Sequence, residues 1–219
     1  VTQLYNETRM LRPYDWWVVA DDDEFHLYPK PVNELIEECE EFGYRFITGA
    51  FLDRIGEGGR FRNVNDDSDI WSLFPLAGSF RLPISNACPN KVPLIKGHMK
   101  LTNVKIKGGD TYGDRWKHEF RYPPIRQHPI YTEQDAGVFI QVHHFKWDMS
   151  VVRRLKEVSS IKKDYTYHEE YKRMFDYILD NNMKIDITDE RFKIERCGKE
   201  FGDYSRWSEI RDEAIAYRV

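Results

Sequence analysis

The apolar run Trp16-Trp17-Val18-Val19-Ala20 leads straight into four consecutive carboxylates, Asp21-Asp22-Asp23-Glu24, and then Phe25. A short run that is apolar throughout, rather than alternating, predicts a strand covered on both faces, as in a parallel α/β sheet. Ligands collect outside the carboxyl ends of such strands, which puts the acids at the lip of a crevice. Pro29-Lys30-Pro31 then predicts a turn, with Pro31 suited to opening a helix. Val32, Leu35, Ile36, Cys39 and Phe42 recur at helical spacing, and Gly43 supplies the stop. Glu34, Glu37, Glu38, Glu40 and Glu41 form the wet face of that helix. Residues 44–52 predict a second strand that delivers Asp53 and Arg54 to its carboxyl end. A right-handed strand–helix–strand unit would set both acidic sites on one sheet edge.

Further along, residues 91–107 alternate loosely, predicting two short strands around Gly97-His98. Residues 108–134 have weak periodicity and predict a long surface excursion, a candidate acceptor-binding lid. Residues 137–142 predict a third strand running into His143-His144-Phe145-Lys146-Trp147. Val151, Val152, Leu155 and Val158 pattern one helix, capped by Asp148 or Ser150. Tyr171, Met174, Phe175, Ile178 and Leu179 pattern another, ending at Asn181-Asn182. The lead-in allows a short helix around Met10 and Leu11 that Pro13 ends, and the tail holds one or two short helical pieces. The whole reads as one α/β domain over residues 1–219, with an α/β part over about 1–150 and a helical part over about 151–219.

Composition narrows the function. The chain has 219 residues, 41% hydrophobic and 15% aromatic, enough for a folded domain with a sizeable core. Its net charge of -4 offers no basic field for nucleic acid. No apolar run approaches a membrane span. Three scattered cysteines, Cys39, Cys88 and Cys197, have no metal spacing and fit free thiols in a reducing, cytoplasmic setting. Gly56-Glu57-Gly58-Gly59 lacks the Lys-Ser/Thr ending of a phosphate loop, and residues 63–69 lack the Gly and Glu of a calcium loop.

Two strand ends carry metal-competent groups, Asp21 with Asp23 and His143 with His144. Residues two apart on an extended segment face the same way, so Asp21 and Asp23 address one ion, and His144 and Lys146 form a second same-face pair. Carboxylates, one imidazole and a Lys around one cavity suit a metal-bound diphosphate, with Mn2+ favoured over Mg2+ by the single nitrogen ligand. The expected ligands are Asp21, Asp23 and His144, with Lys146 on the phosphates. Trp71 offers a face on which a sugar can stack.

The chain resembles glycosyltransferases of family 2, with the GT-A fold. Four blocks carry the resemblance: Val19-Ala20-Asp21-Asp22-Asp23-Glu24-Phe25, Gly49-Ala50-Phe51-Leu52-Asp53-Arg54, the stretch from Lys91-Val92 to Lys96-Gly97-His98, and Val142-His143-His144-Phe145-Lys146-Trp147 with Arg154-Leu155 downstream. The resemblance implies a Rossmann-like mixed sheet flanked by helices with a C-terminal helical segment. It also implies inverting transfer of a sugar from a nucleotide-diphosphate sugar, UDP-linked for preference, to a carbohydrate or other hydroxyl acceptor. Asp53 is then the candidate general base, with Glu133 and Asp135 next. Asp22, Glu24, Arg54, Trp71, His98 and Lys146 are the expected substrate contacts. Twenty residues precede Asp21, fewer than this family carries there, so base and ribose contacts are expected outside this chain or in a shortened form. Two other readings compete: a paired-carboxylate hydrolase of a glycoside or phosphate ester, and a non-catalytic carbohydrate- or metal-binding module.

Overall fold

The computed structural model describes residues 7–97, 103–106, 115–118, 139–160 and 167–217. His98, Glu133 and Asp135 lie outside the described residues, as does most of the expected lid.

The fold is a curled, mixed seven-stranded sheet flanked by helices. Its axis is β3 (Phe46–Ile55), a strand buried along all ten positions. The run Phe-Ile-Thr-Gly-Ala-Phe-Leu is apolar on both faces, which suits a strand with neighbours on both edges and layers above and below. Along one edge, β3 pairs antiparallel first with β5 (Asn90–Lys96) and then with β4 (Leu76–Gly78). Along the other it pairs parallel with β8 (Ile140–His144). Outside β5 lies β1 (Trp16–Val18), outside β8 lies β2 (Glu24–Leu27), and outside β4 lies the short β9 (Glu195–Arg196), each antiparallel to its neighbour. The strands β6 (Asn103–Ile106) and β7 (Arg115–His118) pair separately, and β7 falls within the stretch expected to be irregular.

The first strand departs from expectation. The apolar run does not form a buried parallel strand. β1 covers three residues, runs antiparallel to β5, and leaves Val18 exposed and both tryptophans half-buried. The carboxylates break it: Asp21 to Asp23 turn the chain, and β2 starts at Glu24. Four adjacent like charges do not share one extended strand unless counter-charges lie on both sides, and a turn separates them. β1 and β3 still run in the same direction, with β5 between them, and β2 is inserted before the crossover helix α1 (Val32–Phe42). That helix ends as predicted, with Gly43 left-handed at φ 72° and its N–H bonded to the last turn. The second strand also runs further than expected. It continues through Ile55, so Asp53 lies within it and not at its end.

Three cores hold these layers. Leu35 and Cys39 of α1 pack with Ile47, Phe51, Leu94 and Val142. Helices α4 (Met149–Ser160) and α5 (His168–Asp180) bury Val151, Leu155, Met174 and Ile178 against Ile55, Phe80 and Trp147. α4 is capped by Asp148, whose Oδ1 accepts from the amides of Ser150 (2.8 Å) and Val151 (3.1 Å). On the other face of the sheet, Ile210 and Ala214 of α6 (Trp207–Ala216) cover Ala50, Leu52 and Ala77. Two further α-helices among the described residues, α2 (Ile70–Leu73) and α3 (Arg81–Ser85), are single turns beside β4. Cys39, Cys88 and Cys197 are free thiols. Among the described residues no helix is long and apolar enough to cross a membrane.

Gly59 joins β3 to the tail of the chain. It sits at φ 73°, its carbonyl accepts from the Ile185 amide at 2.9 Å, and a Cβ there would fall 1.9 Å from the Ile185 carbonyl oxygen. Gly59→Ala adds left-handed strain to a backbone clash. It is expected to cost more than about 1 kcal/mol, read as a fall of a few degrees in Tm; an unchanged Tm would show that this junction yields freely.

Candidate functional site

Alternation along β3 sends Phe51, Asp53 and Ile55 to one face and Leu52 and Arg54 to the other. Sheet register then aligns the site. Asp53 stands opposite His144 across the β3–β8 ladder, and His144 opposite Glu24 across the β8–β2 ladder. The acidic turn crosses between the two halves of the sheet: Val19 donates to the Pro93 carbonyl at 2.8 Å, and the Asp23 carbonyl accepts from Phe145 N–H at 2.8 Å. The N-terminal acids and the histidine strand therefore meet.

At the centre is a line of three groups. Asp53 is buried, and its Oδ1 accepts from Trp147 Nε1 (2.8 Å) and His144 Nδ1 (3.2 Å), while Oδ2 accepts from the Arg81 amide (3.2 Å). The Arg81 guanidinium lies 3.9 Å away. Burial by itself raises a carboxyl, but His144, Arg81 and Trp147 outweigh it and hold Asp53 below its ordinary value. An ionised carboxylate only accepts, so His144 Nδ1 donates to it. The other ring nitrogen, Nε2, faces Asp23 Oδ2 at 3.5 Å. Asp23 is likewise held low: burial pushes it up, and His144 and then Lys146 pull it down further.

A second group lies beside the first. Lys91, opening the otherwise apolar run of β5, is buried, and its ammonium bonds Asp21 Oδ2 at 2.8 Å and the buried Glu24 carboxylate. Burial raises Glu24, but neighbouring His26, Lys91 and the Asp21 amide overcome this and hold it at about 2. Asp21 and Asp23 thus do not address one point from an extended segment: each has its own partner on the turn. Among the described residues, no three His, Cys, Asp or Glu side chains stand together as ligands for one metal.

Cations rim the site. Lys146 lies with its ammonium 5.0 Å from the Tyr171 ring centre and 5.7 Å from that of Trp147. Burial and the nearby Arg81 push its pKa down, while Glu170 and Asp23 oppose them. Arg81 packs over Phe51 at 4.3 Å and donates to the Cys88 carbonyl at 3.0 Å.

Other expected site residues go elsewhere. Asp22 is exposed on the turn. Arg54 is buried on the opposite face, where its guanidinium donates to the carbonyls of Cys197 and Gly198, both at 2.8 Å, and ties β3 to the tail. Trp71 stacks over Arg54 at 4.7 Å and meets Phe25 and Phe145 edge-on; it belongs to that face and not to the acidic one. His143 also points there, buried and bonded to Gln141 Oε1 at 3.1 Å. Sequence reasoning misses the site roles of Lys91, Arg81 and Trp147. Lys91 and Trp147 both fall inside the blocks that carry the resemblance, and Lys91 is also a charge at the head of a β-branched and apolar run; Arg81 gives no signal.

Comparison of the chain with protein-family models finds no matching family, and comparisons with curated proteins and with solved structures find no match either.

Proposed function

We propose that this chain is a metal-dependent glycosyltransferase that moves a sugar from a nucleotide-diphosphate sugar to an acceptor hydroxyl with inversion, on a GT-A-type version of its mixed sheet. One observation carries the reading: His144 Nε2 and Asp23 Oδ2 face each other at 3.5 Å while Nδ1 of the same ring is held by Asp53 at 3.2 Å. A ring protonated on Nδ1 alone presents the Nε2 lone pair to the Asp23 carboxylate, and a cation between them satisfies both. A carboxylate beside an imidazole whose far nitrogen is held by a second carboxylate is the donor chemistry of a divalent ion with an oriented ligand. At 3.5 Å apart, the two donors would come within reach of one divalent ion after a small closing movement.

In this reading Asp23 and His144 hold Mn2+ or Mg2+, which when bound supplies neutralisation of the diphosphate leaving group. Lys146 and Arg81 add positive charge on the same rim, where phosphate oxygens collect. Asp53 fixes the His144 tautomer. Glu133 and Asp135 remain the candidates for taking the acceptor proton. A paired-carboxylate hydrolase fits less well, because Asp53 and Glu24 are buried and engaged by donors from several sides.

Thermal shift tests this directly. Mn2+ together with a UDP-, GDP- or TDP-sugar is expected to raise Tm by more than the sum of their separate effects, by mass action on the folded state. Mn2+ stabilisation with no nucleotide effect would mean a binding module, and no shift with any combination would end the transferase reading. Asp23→Ala is expected to weaken Mn2+ binding on the order of 100-fold with a smaller fall in the metal-free Tm than Asp53→Ala, since its carboxylate is partly exposed and its backbone carbonyl keeps the Phe145 bond. Wild-type Mn2+ affinity in that variant would remove Asp23 from the ligand set.

A further inference from the structure

We propose that Lys91 is a built-in counter-cation that competes with the divalent ion for Asp21, so that metal binding moves Asp21 from the Lys91 ammonium to the ion while Lys91 stays on Glu24. The inference rests on the metal reading above and assigns that site its third ligand and the group that withholds it.

One ammonium here serves two carboxylates of different freedom. The Lys91 side chain is 3% exposed and that of Glu24 2%. Glu24 Oε2 also accepts the Asp21 amide at 3.2 Å, and β2 fixes its backbone. A second buried group is aimed at it: His26 Nε2 lies 3.5 Å away and makes no closer polar contact among the described residues. Glu24 therefore cannot leave without stranding charge. The Asp21 side chain is 44% exposed, and Lys91 is its sole side-chain partner among the described residues. It can swing about its own torsions while the Lys91–Glu24 pair stays intact.

The charge balance points the same way. Without an ion, the single positive charge of Lys91 is divided between two carboxylates, which leaves one negative charge unmatched. Asp23 and His144, meanwhile, offer an ion two ligands, and among the described residues no third His, Cys, Asp or Glu stands with them. Asp21, two residues from Asp23 on the same turn, is the carboxylate with both the proximity in the chain and the freedom to complete the set. Handing it to a divalent ion leaves Lys91 matched one-to-one with Glu24. The acidic turn is thus held together by protein charge when no metal is bound, and metal affinity is set below its ceiling by the pair that must open.

Manganese titration by calorimetry separates the outcomes. The double variant Lys91→Met with Glu24→Gln removes one cation and one anion together, so the net charge near the ion is unchanged. It is expected to bind Mn2+ three- to tenfold more tightly than wild type, the range set by release of a partly exposed ion pair. In an Asp21→Asn background the same double change is expected to alter affinity less than twofold. As a check that keeps the buried pair, Lys91→Arg, whose planar fork spans two carboxylates, is expected to weaken Mn2+ binding several-fold. Equal Mn2+ affinity in wild type, Lys91→Met/Glu24→Gln and Lys91→Arg overturns the competition while leaving the metal site standing. A gain that persists with Asp21→Asn overturns Asp21 as the exchanged ligand. No Mn2+ binding by any of these proteins overturns the metal reading, and this inference with it.

Discussion

Asp53→Ala is expected to lower the unfolding free energy by about 4 kcal/mol, the cost of stripping a buried charged partner from groups that stay buried. The substitution leaves the Trp147 indole N–H, the His144 Nδ1–H and the Arg81 amide without their acceptor, and removes the counter-charge 3.9 Å from the Arg81 guanidinium. Trp147 is 2% exposed and His144 5%, so water does not replace what is lost. Asp53→Asn keeps the shape and one acceptor oxygen but turns an amide N–H toward a donor. About half the cost is expected there, on the order of 2 kcal/mol. Urea midpoints check both. The outcome also decides between two roles. A general base open to an acceptor hydroxyl could be removed with turnover lost and stability kept. A positioning residue behind His144 cannot, and its loss is expected to weaken Mn2+ binding by loosening the ring that presents Nε2. A stability change within 0.5 kcal/mol of wild type for Asp53→Ala, roughly what an ordinary surface site gives, would return Asp53 to the role of base.

That contrast shows where sequence reasoning reached and where it stopped. The chain's periodicities marked α1, α4 and α5 well, because each buries one stripe and carries its own stop or cap signal: Gly43, Asp148 and Asn181. The meeting of the acidic turn with His144 was also legible, since both sit at the ends of apolar runs and sheets gather strand ends. What was not legible depends on partners distant in sequence. Nothing in Trp16-Trp17-Val18 distinguishes a buried central strand from a three-residue edge strand; that is decided by β5, more than seventy positions later. Asp53 reads as a strand end because an aspartate usually stops an apolar run. It lies within β3 because β4 and β8 supply neighbours, and His144, Trp147 and Arg81 supply the donors, that make a buried carboxylate tolerable. Asp21 and Asp23 read as one same-face pair only while the segment is taken as extended. Once the acids turn the chain, the spacing rule no longer applies, and Lys91 and His144 divide the two carboxylates between them.

Acidification is expected to unfold the protein in two stages, and the first starts near pH 6.5 at His143. That side chain is fully buried, and burial, reinforced by the Arg54 guanidinium, pushes its imidazole down to about 3. In the unfolded chain it protonates near 6.5. Between those values the unfolded state holds a proton that the folded state refuses, so stability is present in full above 6.5 and is lost as pH falls toward 3. The loss is about 1.4 kcal/mol per pH unit, or about 5 kcal/mol over the window. Below about 4.5 a second loss is added. Glu24, held at about 2 in the fold, stays ionised while its unfolded counterpart protonates, and Asp23 and Asp53, both held low, act in the same direction. Urea midpoints at steps from pH 7.5 to 4 are expected to fall with a one-proton slope at first and more steeply below 4.5. His143→Gln preserves a hydrogen-bonding group beside Gln141 and has nothing to titrate, so the upper stage is expected to vanish in that variant while the lower one remains. Parallel pH profiles for wild type and His143→Gln between 6.5 and 5 would mean that the buried imidazole takes up its proton in the fold, with the Arg54 face open enough to solvent to allow it.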